Sequence, residues 1–215
     1  EKLPETEFII EELISFKKEI ATTIARNESG QIEVFPVVEM IFNEISNQVE
    51  YVICPAQIND DIKDKAKEIA LNVSKSFKQI GLLAVEMFLT NDNKILVNEV
   101  APRPHNSAHY SIEACTNSQF EQHIKSILDL PLGCSKSNIY AIMVNLVGEK
   151  GFSGPVVYSG IEEAMQYDNV SVHLYGKSET KPNRKMGHAT ILDTSLKNGL
   201  SRAKSIKKII KIKTS

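Results

Sequence analysis

Leu82-Leu83-Ala84-Val85-Glu86-Met87-Phe88-Leu89-Thr90, then Asn91-Asp92-Asn93-Lys94, then Ile95-Leu96-Val97-Asn98-Glu99-Val100-Ala101 reads as a hairpin. Two apolar runs flank a cluster of turn-forming residues. If Thr90 pairs with Ile95 across the turn, the numbers of opposed residues sum to 185 and Glu86 lies opposite Glu99 on one face. Directly opposed like charges destabilise a strand pair, and a bare carboxylate in an apolar run is costly. A divalent cation between the two acids removes both penalties, and Mg2+ is commonly held by one or two carboxylates plus phosphate oxygens. The alternatives are that one acid pairs with a lysine or that both face solvent. Two acids in register favour the metal, provided that no bulge separates them.

Outward from the hairpin, the chain alternates strand and helix signals. Upstream, Phe8–Ile14 is a short apolar run containing Glu11-Glu12, Glu19–Arg26 is β-rich and closes at Asn27-Glu28-Ser29-Gly30, and Gln31–Met40 is a further strand. Together these predict an antiparallel sheet. Over Asp60–Ile80, apolar residues Ile62, Ala66, Ile69, Ala70, Val73 and Phe77 recur at three- and four-residue steps, which predicts an amphipathic helix. A second helix is expected from about Ser118 to Leu128. Beyond it, Tyr140–Gly148, Gly154–Val157 and Val170–Tyr175 read as short strands among glycines. The fold class is therefore α+β, with one domain over 1–132 and a small β-rich domain with a basic tail over 133–215.

Composition narrows the function classes. With 25 Lys plus Arg against 27 Asp plus Glu, the net charge of −2 argues against a polyanion binder. No stretch approaches the roughly 20 apolar residues of a membrane helix, so neither nucleic acid nor membrane is an expected partner. Residues 197–215 carry seven basic and no acidic side chains. No aromatic residue interleaves them as in single-strand binders, so a solvated helix or strand is preferred there. Cys54, Cys115 and Cys134 are odd in number and far apart in sequence, which fits free thiols in a reducing, cytoplasmic setting.

The stretch after the hairpin, Ala101-Pro102-Arg103-Pro104-His105-Asn106-Ser107-Ala108-His109-Tyr110, is dense in polar chemistry. Two prolines pre-aim the Arg103 guanidinium, whose planar fork suits a phosphate or carboxylate. His105 and His109 are four apart. Without a third nitrogen or sulfur ligand nearby, substrate contact or loop hydrogen bonding is preferred to metal ligation.

These residues carry a resemblance. Leu83–Phe88, Leu96–Ser107, Ser118–His123, Leu130–Gly133, Met143–Gly148 and Pro182–His188 resemble the N5-carboxyaminoimidazole ribonucleotide synthetase family of the ATP-grasp superfamily. The resemblance implies ATP-dependent carboxylation of 5-aminoimidazole ribonucleotide by bicarbonate, through carboxyphosphate, in purine synthesis. It implies ATP and Mg2+ as cofactors and a homodimer. It assigns Glu11, Glu12, Leu13 and Ile14 to the adenine hinge, Glu19 to the ribose, and Glu39, Asn98 and Glu99 to nucleotide contact. Glu86 and Glu99 become metal ligands. Arg103 and Lys185 are the catalytic charges around carboxyphosphate, and His105, Asn106, Ser107 and Arg184 bind the ribonucleotide.

Two departures from the family pattern are Met40 for Asn and Ala108 for Gly. The family's Gly-rich phosphate lid has no counterpart here, so the chain is expected to be the C-terminal part of the enzyme and inactive by itself. Two rivals remain. Another ATP-grasp carboxylase or carboxylate–amine ligase would share the metal pair, and a non-catalytic binding module would retain the pattern without turnover.

Overall fold

The computed structural model describes residues 7–214. Strands β1 (Phe16–Arg26), β2 (Ile32–Val34), β3 (Val38–Asn43) and β4 (Gln48–Cys54) precede helix α1 (Asp60–Phe77). The hairpin β5 (Gly81–Thr90) and β6 (Ile95–Ala101) follows, then α2 (Ser111–Ala114) and α3 (Gln119–Ile127). The C-terminal part comprises β7 (Tyr140–Val147), β8 (Gly154–Ser159), α4 (Ile161–Ala164), β9 (Val170–Leu174), β10 (Glu179–Thr180) and β11 (Lys185–Asp193). It closes with α5 (Leu196–Ile209) and β12 (Lys211–Thr214).

Nine of the described strands form one sheet in the order β6-β5-β1-β3-β4-β7-β11-β9, with β2 beside β1. A separate small sheet has the order β10-β8-β12. Every described pairing is antiparallel. The architecture is α+β, with a large antiparallel sheet and a small C-terminal one. The expected division at 132/133 falls where no helix or strand occurs between α3 and β7. Beyond it β7 returns to pair with β4, so the large sheet takes strands from both sides.

Three packing layers follow from period. The α1 stripe buries Ile62, Ala66 and Ala70. It meets Ile20, Ile24, Leu83, Val85 and Met87, alternate residues of β1 and β5, on one sheet face. On the other face, Ala21, Val38, Met40, Val52 and Met143 pack around Tyr110. The α5 stripe of Ala203 and Ile206 closes the core over Ile142, Val144, Met186, Ala189 and Ile191. Helix α3 starts at a capping box, in which the Ser118 side chain accepts from the Glu121 N–H and the Glu121 carboxylate accepts from the Ser118 N–H.

Three expectations are corrected. Phe8–Ile14 forms no strand; Ile9, Ile10 and Leu13 are exposed, Leu13 at 96%. An apolar run without a partner strand or helix has nothing to bury against. Gln31–Met40 is not one strand but β2 and the start of β3, broken around Pro36, which has no amide to give a ladder. Thr90 does not pair with Ile95; Leu89 does. The basic C-terminus is both a helix, α5, and a strand, β12, its lysines Lys207, Lys211 and Lys213 paired to Glu50 and Glu149.

Candidate active site

Glu86 does oppose Glu99, by a route the simple register misses. Pairing from the turn runs Leu89–Ile95, Phe88–Leu96 and Met87–Val97, then jumps to Glu86–Glu99. Asn98 is the extra residue of a β-bulge. Val97 therefore shares the α1 face with Met87, while Glu99, only two residues on, shares the opposite face with Glu86. Without that bulge the two carboxylates would lie on opposite sides of the sheet.

A second bulge works the same way in β11. Lys185 pairs with Val147 and Gly187 with Leu146, leaving Met186 extra and buried in the core. Lys185 and His188 thereby come to one face, and Lys185 lines the same cavity as the two carboxylates.

Glu86, Glu99, Arg103, His105, Asn106, Ser107 and Lys185 line one cavity of about 300 Å3, with Met40, Phe42 and Val49 on its apolar side. Burial, then the charges of Glu99 and Glu19, push the Glu86 carboxyl up to about 7; Lys185 and Arg103 pull it the other way. Burial holds the Lys185 ammonium below its ordinary value, as do Arg103 and Lys177, against the pull of Glu86. Burial, with Arg103 and Lys185, holds His105 down at about 4, so its ring is neutral at pH 7. His105 Nδ1 accepts from the Ser107 N–H at 3.3 Å. The proton therefore sits on Nε2, which faces Glu86 Oε1 at 3.3 Å. Both side-chain polar atoms of Asn106 are buried with no partner among the described residues, an arrangement that leaves them free to bond a ligand.

The other expected residues lie elsewhere. Glu19 is on the same face as Glu86 in neighbouring β1, half-buried, its carboxyl raised by burial. Glu39 pairs with Ile20 and so belongs to the α1 face, where Lys18 Nζ holds it at 2.6 Å. Met40, its neighbour, faces the cavity instead. Asn98 is the exposed bulge residue; Glu11, Glu12 and Leu13 are exposed and Ile14 half-buried before β1. Arg184 points its guanidinium at the Glu179 carbonyl, 3.0 Å away.

The donor set fits a hard cation. Among the described residues no three His, Cys, Asp or Glu side chains gather as a metal cage. A pair of carboxylates with one carboxyl destabilised as an anion suits Mg2+ completed by phosphate oxygens and water, and does not suit a closed zinc site.

Sequence reading missed the ring stack beside the cavity. His109, His188 and His173 stack with centroids 4.7 and 4.5 Å apart, Phe120 continuing the stack at His109. Their positions in three separate segments leave no local signal.

Comparison with known proteins places the chain in a family. Residues 1–120 match the ATP-grasp domain, and 141–202 match the phosphoribosylaminoimidazole carboxylase C-terminal domain. The chain is 47% identical to N5-carboxyaminoimidazole ribonucleotide synthetase from Thermotoga maritima, with a TM-score of 0.87 over 95% of this chain and 55% of that one. It is 44% identical to phosphoribosylaminoimidazole carboxylase of Candida glabrata over 87% of this chain and 33% of that protein. The Aspergillus clavatus synthase, solved with ADP and 5-aminoimidazole ribonucleotide, is 32% identical, with a TM-score of 0.81 over 92% of this chain and 52% of that one. The chain thus spans between a third and somewhat over half the length of these relatives. It belongs to the ATP-grasp family, in the branch that joins this domain to the phosphoribosylaminoimidazole carboxylase C-terminal domain, as N5-carboxyaminoimidazole ribonucleotide synthetases do.

Proposed function

We propose that the chain supplies the metal–nucleotide and ribonucleotide half of an ATP- and bicarbonate-dependent carboxylase acting on 5-aminoimidazole ribonucleotide. The observation that carries this reading is convergence. Two opposed carboxylates, the Pro-flanked Arg103 loop and Lys185 come from distant segments to line one cavity.

In this reading Glu86 and Glu99 hold Mg2+, which neutralises and orients the nucleotide phosphates when bound. Glu11–Ile14, Glu19, Glu39 and Asn98 are the residues that the family resemblance assigns to the nucleotide; of these Asn98 adjoins Glu99 at the bulge, and Glu19 lies on the Glu86 face of neighbouring β1. Arg103 and Lys185 place two cationic side chains opposite the carboxylates, where they stabilise charge developing on the transferred phosphoryl and carboxyl groups. His105, uncharged at neutral pH, gives a directed N–H rather than a further positive charge. Asn106 and Ser107 bind the ribonucleotide, together with Arg184, which the family resemblance assigns to it. The 215 residues alone are expected to turn over little, because a carboxyphosphate site open to water loses its intermediate. The homodimer and the cytoplasmic setting belong to the same proposal.

The test is ADP release from Mg-ATP with bicarbonate, with and without 5-aminoimidazole ribonucleotide. It compares this chain with the same chain fused behind the N-terminal half of the Thermotoga maritima synthetase. Ribonucleotide-dependent release from the fusion, lost in Lys185→Ala, is expected. Release that ignores the ribonucleotide, or that another amine supports better, would move the assignment to a different ligase of the family.

A further inference from the structure

We propose that Gln119, at the first position of α3 and 0% exposed, is the positioning residue that sets the His105–His109 loop and so aims its ligand-facing side chains. The substrate side of this inference rests on the function proposed above.

The geometry is a clamp with only one hydrogen-bond assignment. Gln119 Oε1 lies 2.8 Å from the His105 backbone nitrogen, which can only donate. Gln119 Nε2 lies 2.9 Å from the His105 carbonyl oxygen, which can only accept. The amide orientation is therefore fixed by the backbone rather than chosen. The second N–H of Nε2 then meets His109 Nδ1 at 2.8 Å, so that nitrogen must accept and the His109 proton must sit on Nε2. One side chain holds both ends of the loop and fixes a tautomer.

The rest of the network ties the clamp to the helix start. The Gln119 backbone N–H, one of the amides a helix leaves unpaired at its first turn, donates to Ser111 Oγ at 2.9 Å. Ser111 Oγ donates in turn to the Ala108 carbonyl at 2.5 Å. Ser111 is also 0% exposed, and Phe120, next to Gln119, stacks on the His109 ring. The loop is thus held from behind at the His105 and Ala108 backbone and at the His109 ring. Asn106 and Ser107, between these points, are left facing the cavity. Gln119 touches none of the cavity itself, so it acts only through the loop.

The test uses this chain with Gln119→Met, which keeps length and loses all three side-chain hydrogen bonds. Two readouts separate positioning from general stability: the histidine tautomers by 15N–1H NMR, and the affinity for 5-aminoimidazole ribonucleotide by calorimetry, with Mg-ADP affinity as the control. Wild type is expected to show His109 as the Nε2–H form. The variant is expected to lose that preference and to bind the ribonucleotide about 10–100-fold more weakly, with a much smaller change in Mg-ADP affinity, since Glu86 and Glu99 sit on β5 and β6 and meet the loop only where His105 Nε2 faces Glu86. A wild-type His109 carrying its proton on Nδ1 overturns the clamp without any variant, which covers the case where Gln119→Met does not fold. Equal ribonucleotide affinity in the two proteins, with the tautomer changed, overturns the positioning role. If wild type holds the tautomer but binds no ribonucleotide, the substrate reading fails and the positioning role falls with it.

Discussion

Replacing Glu86 by Gln should stabilise the protein at alkaline pH in the absence of divalent cations. Glu86 is half-buried in β5, opposite Glu99 and near Glu19, and its carboxyl is pushed from an ordinary 4.5 up to about 7. Each pKa unit corresponds to about 1.4 kcal/mol, so the buried anion costs at most about 3.5 kcal/mol. Glu99 is exposed on the edge strand, and solvent screening there brings the realistic figure to about 1–2 kcal/mol. The sign follows from proton binding. The folded state holds the Glu86 proton more tightly than the unfolded state, so the penalty is absent below pH 4.5, grows as pH rises, and is complete above about 7. Gln keeps an oxygen for the His105 N–H and carries no charge. Urea unfolding in EDTA should therefore show Glu86→Gln more stable than wild type by about 1–2 kcal/mol at pH 8, with the gap narrowing by pH 5. Added Mg2+ should stabilise wild type and leave the variant nearly unmoved. A variant less stable than wild type at pH 8 would refute the idea that the carboxylate pair is held against its own repulsion. Stability given up at a site is the usual mark of selection for binding or catalysis rather than for folding.

Burial holds His109 down at about 4 and His188 at about 3, so both resist protonation in the folded state and gain it on unfolding. Their contribution is complete above pH 6.5 and is lost as pH falls toward those values, so the Tm should drop steeply between about pH 6.5 and 4, and His188→Gln should flatten that slope. Ser118→Ala removes half of the α3 capping box and should cost about 1 kcal/mol, or about 2–4 °C in Tm; an unchanged Tm would mean that the cap is redundant. Gly160 and Gly176 both have positive φ, +77° and +67°, but only at Gly160 would a Cβ collide with a backbone atom, the Ile209 carbonyl. Gly176→Ala should cost about 1–2 kcal/mol for the left-handed backbone, and Gly160→Ala clearly more; equal losses would contradict the packing of α4 against the end of α5.

The legible parts of the sequence were those where period or turn chemistry acts locally. The α1 stripe, the start of α3 near Ser118 and the two hairpin strands are all expected from the sequence. The Glu86–Glu99 pair was reached from a register wrong at the turn, where Leu89 rather than Thr90 pairs with Ile95. The Asn98 bulge restores it. Neither run alternates apolar with polar residues, so the pattern cannot say where an extra residue sits. Strand β4 lies outside the expected elements although Val49 to Ile53 is β-rich, and β11 is anticipated only through the Pro182–His188 motif, although Ala189 to Leu192 is a clear apolar run. Glu39 and Met40 show the limit of naming residues without a face: one step along β3 separates the residue held by Lys18 from the one that lines the cavity. Gln119 and the stacked histidines depend on contacts between α3, β9, β11 and the loop after β6, which no local window contains.

The central claim, that the bulged hairpin builds a divalent metal site for a nucleotide, is tested most directly by anomalous diffraction from crystals of this chain grown with Mn2+ and ADP. The account predicts a single strong peak between the Glu86 and Glu99 carboxylates, abolished in Glu86→Gln. Nucleotide bound with no peak between those two side chains, or a peak held by other residues, would contradict it.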